Sequence, residues 1–258
     1  MSSILFEIKN AVAFITLNRP EKFNSFNREM ALLLQEKLDE CANNKAIRAV
    51  YITGAGKAFC AGQDIAELVG ENKIEIKQIL SEHYNPIVKQ IRNLEKPVIA
   101  AVNGVAAGAG ANIALCCDIV IAAESASFIQ AFSKIGLIPD SGGTFTLPRL
   151  IGWQKASALM LTGDKVSATQ AEQMGMIYKT FSNDLFEVGS KKIAENISQM
   201  PTQGLAYTKQ ALNKSFTNNW AEQLNLEDAL QQKAAATTDY SEGINSFLEK
   251  RSPLFKGE

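Results

Sequence analysis

The sequence is poor in the side chains that many enzymes use for acid–base catalysis and metal binding. It contains one histidine, His83, and four cysteines whose spacing is typical neither of disulfides nor of metal ligands. A triad that depends on histidine would have to use His83, whose polar surroundings, Glu82-His83-Tyr84, predict a surface or half-buried helical position. If the protein performs acid–base chemistry, we therefore expect carboxylates to do it.

An excess of one charge and long apolar runs are also missing. The chain carries 26 basic and 27 acidic side chains, and its clearest basic cluster is Lys250, Arg251 and Lys256. This balance argues against a nucleic-acid-binding protein, although the cluster would suit a ligand with a few phosphates. No segment approaches the roughly 18 to 20 apolar residues of a membrane-spanning helix, and residues 1–6 lack a signal-peptide pattern. We expect a reduced, cytoplasmic protein that binds neither nucleic acid nor membrane.

Strands, glycine-rich loops and helices alternate over the first two thirds of the 258-residue chain. Apolar runs predict short strands at 4–8, 11–17, 49–53, 97–102 and 118–122. Nearly everything from 184 to 250 is helix-forming, with breaks near Pro201 and Asn218. This pattern predicts an α/β core, residues 1–200, followed by a helical C-terminal region, residues 201–258.

Two loops of small residues could present main-chain N–H groups to one point. The first, AFCAGQDI at 58–65, follows a predicted strand, and the second, Gly108-Ala109-Gly110, opens a helix whose unpaired N–H groups point outward. Two such donors that converge would form an oxyanion hole. Taken alone, each loop is equally compatible with close packing of a helix on a strand. Gly54-Ala55-Gly56 lacks a third glycine in register, which argues against a dinucleotide-binding loop.

A lone acidic residue, Asp140, lies in the loop LIPDSGG at 137–143. Burial among apolar and small residues would raise its pKa and make it a usable base. The alternative is that Asp140 caps the following helix, a common role of Asp in such a turn. Asp-Ser-Gly-Gly is also similar to the nucleophile loop of trypsin-like proteases, but the leading glycine and the disulfides are missing.

Several segments, taken in order, resemble the crotonase, or enoyl-CoA hydratase/isomerase, superfamily: NRPEKFNSFN, TGAGKAFCAGQDI, KPVIAAVNGVAAGAGANIAL, CDIVIAA, LIPDSGGT and FLEKR. The resemblance covers nearly the whole chain, from 16 to 251. Within the superfamily, the branch that isomerises ring-1,2-epoxyphenylacetyl-CoA in phenylacetate breakdown is most similar, through AGQDI, YNPIV, NGVAAGAGA, AFSKIGLIPDSGGT and FLEKRSPLFKG. The resemblance implies a spiral of ββα turns with a helical C-terminal trimerisation region, in a homotrimer or a hexamer of two trimers.

The resemblance also implies roles for individual residues. The main-chain N–H groups of Gln63 and Ala109 would hold the thioester oxygen, and Asp140 matches the carboxylate of the isomerase and dehalogenase branches. Further contacts to the acyl-CoA substrate are implied for Lys22, Phe23, Ser25, Ala61, Asp64, Ile65, Gly108, Asn112, Phe132, Pro139, Phe247 and Lys250. Of these, Phe247 and Lys250 would lie at the adenine end, in the same or a neighbouring subunit. No metal and no separate cofactor are implied, because coenzyme A is part of the substrate.

The chain departs from the hydratases at the two glutamates with which those enzymes hold water. The matching residues are Asn112 and Phe132, and neither is a base, which argues against water addition by that route. We therefore expect an isomerase in which Asp140 moves a proton, converting ring-1,2-epoxyphenylacetyl-CoA to the oxepin thioester or shifting a β,γ double bond to α,β. Residues 68–81 are expected to shape the acyl pocket.

The sequence is also compatible with other functions. Asp140 could instead serve a hydratase, a thioesterase or a dehalogenase, and in the last of these it would act as a nucleophile. A non-catalytic acyl-CoA-binding or RNA-binding relative is the alternative from another class. Loss of the hydratase carboxylates would fit such a protein, whereas the retained Asp140 and the near-neutral charge argue against it.

Overall fold

A computed structural model describes residues 2–70 and 73–258. Outside the described residues lie residue 1 and, within the segment 68–81 that is expected to shape the pocket, residues 71 and 72. Each strand predicted from the sequence is present, with ends that differ by at most one residue. The strands are β1 Ile4–Lys9, β2 Val12–Leu17, β3 Ala49–Gly54, β4 Ala58–Cys60, β5 Val98–Val102, β6 Val105–Ala107, β7 Ile119–Ala123, β8 Ser127–Ile129, β9 Lys165–Ser167 and β10 Lys179–Phe181.

The strands of the described ranges form two sheets that are built up together. The larger has the order β1-β2-β3-β5-β7-β10 and the smaller β4-β6-β8-β9. From β3 to β8, successive strands alternate between the sheets, so each turn of the chain adds one strand to both. The central strands β3, β5 and β7 pair in parallel and are mostly buried, which explains their continuous apolar sequences. The predicted spiral of ββα turns is thereby confirmed.

The first hairpin uses a two-residue turn. Asn10 and Ala11, between β1 and β2, have positive φ angles of 51° and 61°. Two consecutive residues of this conformation are typical of a type I′ turn, whose twist matches that of the strands it joins.

Helices fill the connections and the C-terminal third. They are α1 Arg28–Asn43, α2 Ile76–Gln78, α3 Asn85–Asn93, α4 Ala109–Cys116, α5 Gly143–Ile151, α6 Trp153–Thr162, α7 Ala168–Gln173, α8 Asn183–Ser198, α9 Thr202–Ser215, α10 Trp220–Ala235 and α11 Thr238–Leu248. The predicted breaks near Pro201 and Asn218 are confirmed, and Thr237 adds a third by capping α11 through the Tyr240 N–H. In the described parts of the chain, no helix is long and apolar enough to span a membrane.

A π-helical turn, Ile79–Tyr84, joins α2 to α3. It turns His83 into the core, where the side chain is 0% exposed and neither ring nitrogen has a hydrogen-bond partner among the described residues. The predicted surface or half-buried position of His83 was therefore wrong. Spacing rules assume 3.6 residues per turn, and a π turn changes the direction in which the following side chains point. Burial lowers the pKa of His83 and favours the neutral imidazole.

Candidate active site

A cavity of ≈ 460 Å³ opens beside the two small-residue loops identified in the sequence. Its volume is within the range of small-molecule sites. Most side chains that line it are apolar: Ile65, Leu68, Ile76, Ile79, Leu80, Phe132, Ile135, Leu137 and Ile138. The polar side chains are few, and among the described residues none that lines the cavity is basic. Leu68, Ile76, Ile79 and Leu80 belong to the segment 68–81, which was expected to shape this pocket.

The first small-residue loop leaves the N–H of Gln63, a residue that lines this cavity, without a hydrogen-bond acceptor among the described residues. The Gly62 carbonyl accepts a hydrogen bond from the Phe26 N–H over 2.7 Å, and the Asp64 N–H donates to the Phe26 carbonyl over 2.8 Å. The carbonyl and N–H of a trans peptide point in opposite directions. The Gly62–Gln63 peptide therefore turns the Gln63 N–H away from Phe26, and in the described ranges this group has no acceptor.

The second loop supplies the N–H of Ala109, the first residue of α4. An N–H in the first turn of a helix has no intrahelical acceptor. The two loops touch: a Cβ added to Gly62 would lie 3.0 Å from the Ala107 oxygen and 3.4 Å from the Ala109 nitrogen. Because Gln63 follows Gly62 directly, the predicted donors Gln63 and Ala109 come from loops in contact. Both residues line the cavity.

Asp140 is half-buried and lines the same cavity. Burial raises the pKa of its carboxyl, and a hydrogen bond of 2.9 Å from the Ser141 hydroxyl to Oδ1 opposes part of this effect. Ser141 has a φ of 52°, a conformation that side chains other than glycine rarely adopt and that is frequent at functional sites. A carboxylate with a raised pKa is a stronger base than an exposed one.

The Asp140 side chain does not cap the following helix. Helix α5 starts at Gly143, and its N-cap residue, Gly142, provides no side-chain hydrogen bond. Asp140 contributes only its main-chain carbonyl, which accepts from the Gly143 N–H over 2.8 Å. The capping role considered for this residue is therefore not observed, and among the described residues its carboxylate accepts a hydrogen bond from the Ser141 hydroxyl.

Asn112, which was expected to contact substrate, lies outside the cavity lining. Its side chain is 1% exposed and donates from Nδ2 to the Asp140 main-chain carbonyl over 2.9 Å. Gln130 in turn donates to Asn112 Oδ1 over 2.8 Å. A Cβ at Gly143 would lie 2.3 Å from Asn112 Nδ2, so only glycine leaves room for this contact. The Asn112 amide thus holds the Asp140 loop through Nδ2, while its Oδ1 is bound by Gln130.

The other predicted site residues fall into two groups. Those that line the cavity are Ala61, Gln63, Ile65, Gly108, Ala109, Phe132, Pro139 and Asp140. Those outside it are Lys22, Phe23, Ser25, Asp64, Phe247 and Lys250. The Asp64 carboxylate accepts hydrogen bonds from Arg19 Nη2, over 2.8 Å, and from the Ala66 N–H. The side chain of Phe247 is 82% exposed. Contacts of this second group to the coenzyme A part of a substrate stay predictions.

Tyr84, Ser141 and Gln130 were not predicted from the sequence as residues of the site. Tyr84 lines the cavity, and its hydroxyl donates to the Gln63 side-chain carbonyl over 2.9 Å. The adjacency of Ser141 to Asp140 was a signal that could have identified it. Tyr84 opens the segment YNPIV, which carries part of the family resemblance, but the π turn that directs its side chain is not visible in the sequence pattern, so no role was assigned to it.

Comparisons with known proteins identify the family of the chain. The profile of the family described as Enoyl-CoA hydratase/isomerase matches residues 7–258. The 1,2-epoxyphenylacetyl-CoA isomerase of Escherichia coli (strain K12) is 45% identical over 262 aligned residues that cover 100% of both chains. The 2,3-dehydroadipyl-CoA hydratase of the same strain is 35% identical over 257 residues, again covering 100% of both. The crystal structure of the enoyl-CoA hydratase from Bacillus anthracis matches with a TM-score of 0.93 and 34% identity, covering 99% of this chain and 100% of that chain. The chain therefore belongs to the enoyl-CoA hydratase/isomerase family of acyl-CoA enzymes.

Proposed function

We propose that the protein is an acyl-CoA isomerase that moves a proton within its bound thioester. The observation that carries the proposal is the composition of one apolar cavity. It contains a single carboxylate, Asp140, among its described lining residues, together with the unpaired N–H groups of Gln63 and Ala109. The positions at which the family's hydratases hold water carry Asn112 and Phe132, which cannot act as bases.

The proposed reaction begins with polarisation of the thioester carbonyl. Its oxygen accepts hydrogen bonds from the Gln63 and Ala109 N–H groups, and the charge that forms when a proton leaves the α-carbon spreads onto this oxygen. Each donor of this kind contributes about 2.7 to 4 kcal/mol at the transition state. The Asp140 carboxylate takes the proton from the α-carbon and returns it to another carbon of the same molecule. A positioned base adds about 10²- to 10⁴-fold to the rate.

We propose an uncharged acyl group as the substrate, either the ring epoxide of phenylacetyl-CoA or an enoyl chain. The apolar lining, free of basic side chains in its described part, suits a ring or hydrocarbon chain better than an acyl group that ends in a carboxylate. The 45% identity to the 1,2-epoxyphenylacetyl-CoA isomerase supports the epoxide. Its product would be the oxepin thioester, formed when the carbon–carbon bond of the epoxide breaks to expand the ring and a proton moves from the α-carbon to a ring carbon; with an enoyl substrate the β,γ double bond would move to α,β. Both conversions are isomerisations and need no co-reactant.

A panel of thioesters tests the proposal. The purified protein is incubated with ring-1,2-epoxyphenylacetyl-CoA, a 3-enoyl-CoA and crotonyl-CoA, and the products are separated by liquid chromatography. We expect isomers of the first two and no 3-hydroxyacyl product from crotonyl-CoA. Efficient hydration of crotonyl-CoA would contradict the proposal and favour a hydratase. A covalent adduct on Asp140, detected by mass spectrometry, would instead favour the nucleophilic chemistry of the dehalogenase branch.

We also propose that the protein works as a homotrimer or as a hexamer of two trimers. Large apolar side chains on the C-terminal helices support this: Trp220 on α10 is 80% exposed and Leu248 at the end of α11 is 72% exposed. Such surfaces favour association. In the assembly, Phe247 and Lys250 would contact the adenine end of coenzyme A. Light scattering should give about three or six times the 28.1 kDa mass of one chain, and a monomer would contradict the assembly.

A further inference from the structure

The side chain of Gln63 is held at both ends of its amide. Its Oε1 accepts from the Tyr84 hydroxyl over 2.9 Å, and its Nε2 donates to Glu67 Oε2 over 2.9 Å. Glu67 is itself fixed, since its Oε1 accepts from the Arg28 N–H over 2.9 Å at the start of α1. These contacts connect the residue that carries an oxyanion donor to two separate parts of the fold.

Tyr84 reaches the same peptide by a second route. Its ring packs edge-on against Phe26, with centroids 5.9 Å apart and an interplanar angle of 80°. Phe26 is the residue whose N–H holds the Gly62 carbonyl and whose carbonyl accepts from the Asp64 N–H. The ring of Tyr84 therefore supports the ladder that orients the Gly62–Gln63 peptide, while its hydroxyl holds the Gln63 side chain.

The peptide needs such support because Gly62 precedes it. Gly62 has a φ of 89°, and glycine is the residue with the widest choice of backbone conformations. The π turn Ile79–Tyr84 ends at Tyr84 and directs this side chain, which is 1% exposed, to the cavity wall. Single π turns inside helices are frequent at functional sites. The placement of Tyr84 at the cavity wall would be the function of the π turn Ile79–Tyr84.

We infer that Tyr84 is a positioning residue, which fixes the Gln63 N–H through the Gln63 side chain and through Phe26. The inference rests on the proposed function, in which that N–H binds the thioester oxygen. Tyr84 transfers no proton in this role. It fixes the direction of the hydrogen bond that the Gln63 N–H donates to the thioester oxygen in the transition state.

The test compares Tyr84→Phe, Gln63→Leu and the double variant in the full-length protein. Tyr51→Phe is the matched control, because it also removes a buried hydroxyl, one paired with Ser190 Oγ at 2.9 Å away from the cavity. The readouts are kcat and KM with a substrate that the wild type isomerises, and the infrared stretch of a ¹³C-labelled thioester carbonyl in a bound saturated acyl-CoA. Thermal unfolding establishes that each variant is folded.

We expect Tyr84→Phe to lower kcat about 10- to 100-fold, because misplacing a reacting group by about 1 Å can cost 10²-fold, while KM stays within about threefold. The carbonyl stretch should move back toward its frequency in solution. Gln63→Leu, which also removes the contact to Glu67, should lower kcat at least as much, and the double variant should be no worse than Gln63→Leu, because the Tyr84 hydroxyl acts through that side chain. Tyr51→Phe should leave kcat within about twofold of the wild type.

Three outcomes would overturn the inference. The first is an unchanged kcat and carbonyl stretch in Tyr84→Phe. The second is multiplication of the two single effects in the double variant, which would mean that Tyr84 acts directly on the substrate. The third is a carbonyl that the wild type does not shift at all, which would also refute the oxyanion hole of the proposed function. If Tyr84→Phe fails to fold, Gln63→Leu, which loses both contacts, is compared with Glu67→Ala, which loses only the contact to Glu67; the inference predicts a larger loss of kcat in Gln63→Leu, and equal losses would overturn it.

Discussion

The side-chain amide of Asn112 donates a hydrogen bond to the main-chain carbonyl of Asp140 over 2.9 Å. The family resemblance implies a glutamate at this position in the hydratases, a group that would act on water. In this chain the residue is an asparagine, and its amide holds the loop of Asp140. The side chain of Gln130 completes the arrangement by donating to Asn112 Oδ1.

Replacing Asn112 by Ala should lower both stability and activity. The change leaves the Asp140 carbonyl without this donor and Gln130 Nε2 without its acceptor, and an unsatisfied buried polar group costs about 1 to 3 kcal/mol. We expect the free energy of unfolding in urea to fall by about that amount and kcat to fall with it. Asn43→Ala is the control, since that exposed amide only donates to the Asp39 carbonyl on α1. Equal midpoints for the two variants would contradict the support assigned to Asn112.

Replacing Gly62 by Ala should impair catalysis more than backbone strain alone explains. Gly62 has a φ of 89°, and its added Cβ would press on the Ala107 oxygen at 3.0 Å, at the contact between the two donor loops. Gly152→Ala is a matched control, because Gly152 has a φ of 79°, lies outside the cavity lining, and has no described residue within 4 Å of the added Cβ. Both variants should lose about 1 to 3 kcal/mol of stability, but only Gly62→Ala should lower kcat, by about 10²-fold or more. A similar loss of kcat in Gly152→Ala would assign the effect to strain.

The activity should depend on the ionisation of Asp140. Burial raises the pKa of this carboxyl, and the base must be ionised to accept the proton. The acid limb of kcat/KM should therefore have an apparent pKa above that of an ordinary aspartate. Ser141→Ala removes the hydrogen bond that stabilises the ionised form, so it should move this limb to higher pH. A limb that stays in place in Ser141→Ala would mean that another group controls it.

Asp140 should reduce stability at neutral pH. Because its pKa is raised in the folded state, the folded protein holds this proton more tightly than the unfolded chain does. Binding of this proton therefore stabilises the folded state fully below the pKa of an unfolded aspartate, and this stabilisation is lost as the pH rises through the pKa of Asp140 in the folded state. Asp140→Asn should thus melt higher than the wild type at pH 7, with a difference that shrinks as the pH is lowered toward 4. A wild type that is the more stable of the two at pH 7 would contradict this sign.

The sequence predicted the parts of this structure that depend on local pattern. Apolar runs located the strands, and the small-residue loops around Gln63 and Ala109, which the sequence singled out together with Asp140, line one cavity with it. His83 was misplaced, and Tyr84 was missed, because the π turn breaks the helical period on which such inference depends. The use of Asn112 as a support could not be foreseen either. It depends on contacts with Gln130, 18 residues away, and with Asp140, 28 residues away, which only the folded spiral brings together.

The most direct test is turnover by Asp140→Asn with the substrate that the wild type isomerises best in the thioester panel. The substitution keeps the shape and leaves Asn112, Ser141 and both N–H donors in place, but it removes the proton carrier. Asp164→Asn, at an exposed aspartate, is the control. We predict that kcat falls by at least about 10²-fold in Asp140→Asn while calorimetry shows acyl-CoA affinity within about threefold of the wild type. Turnover close to that of the wild type would contradict the account.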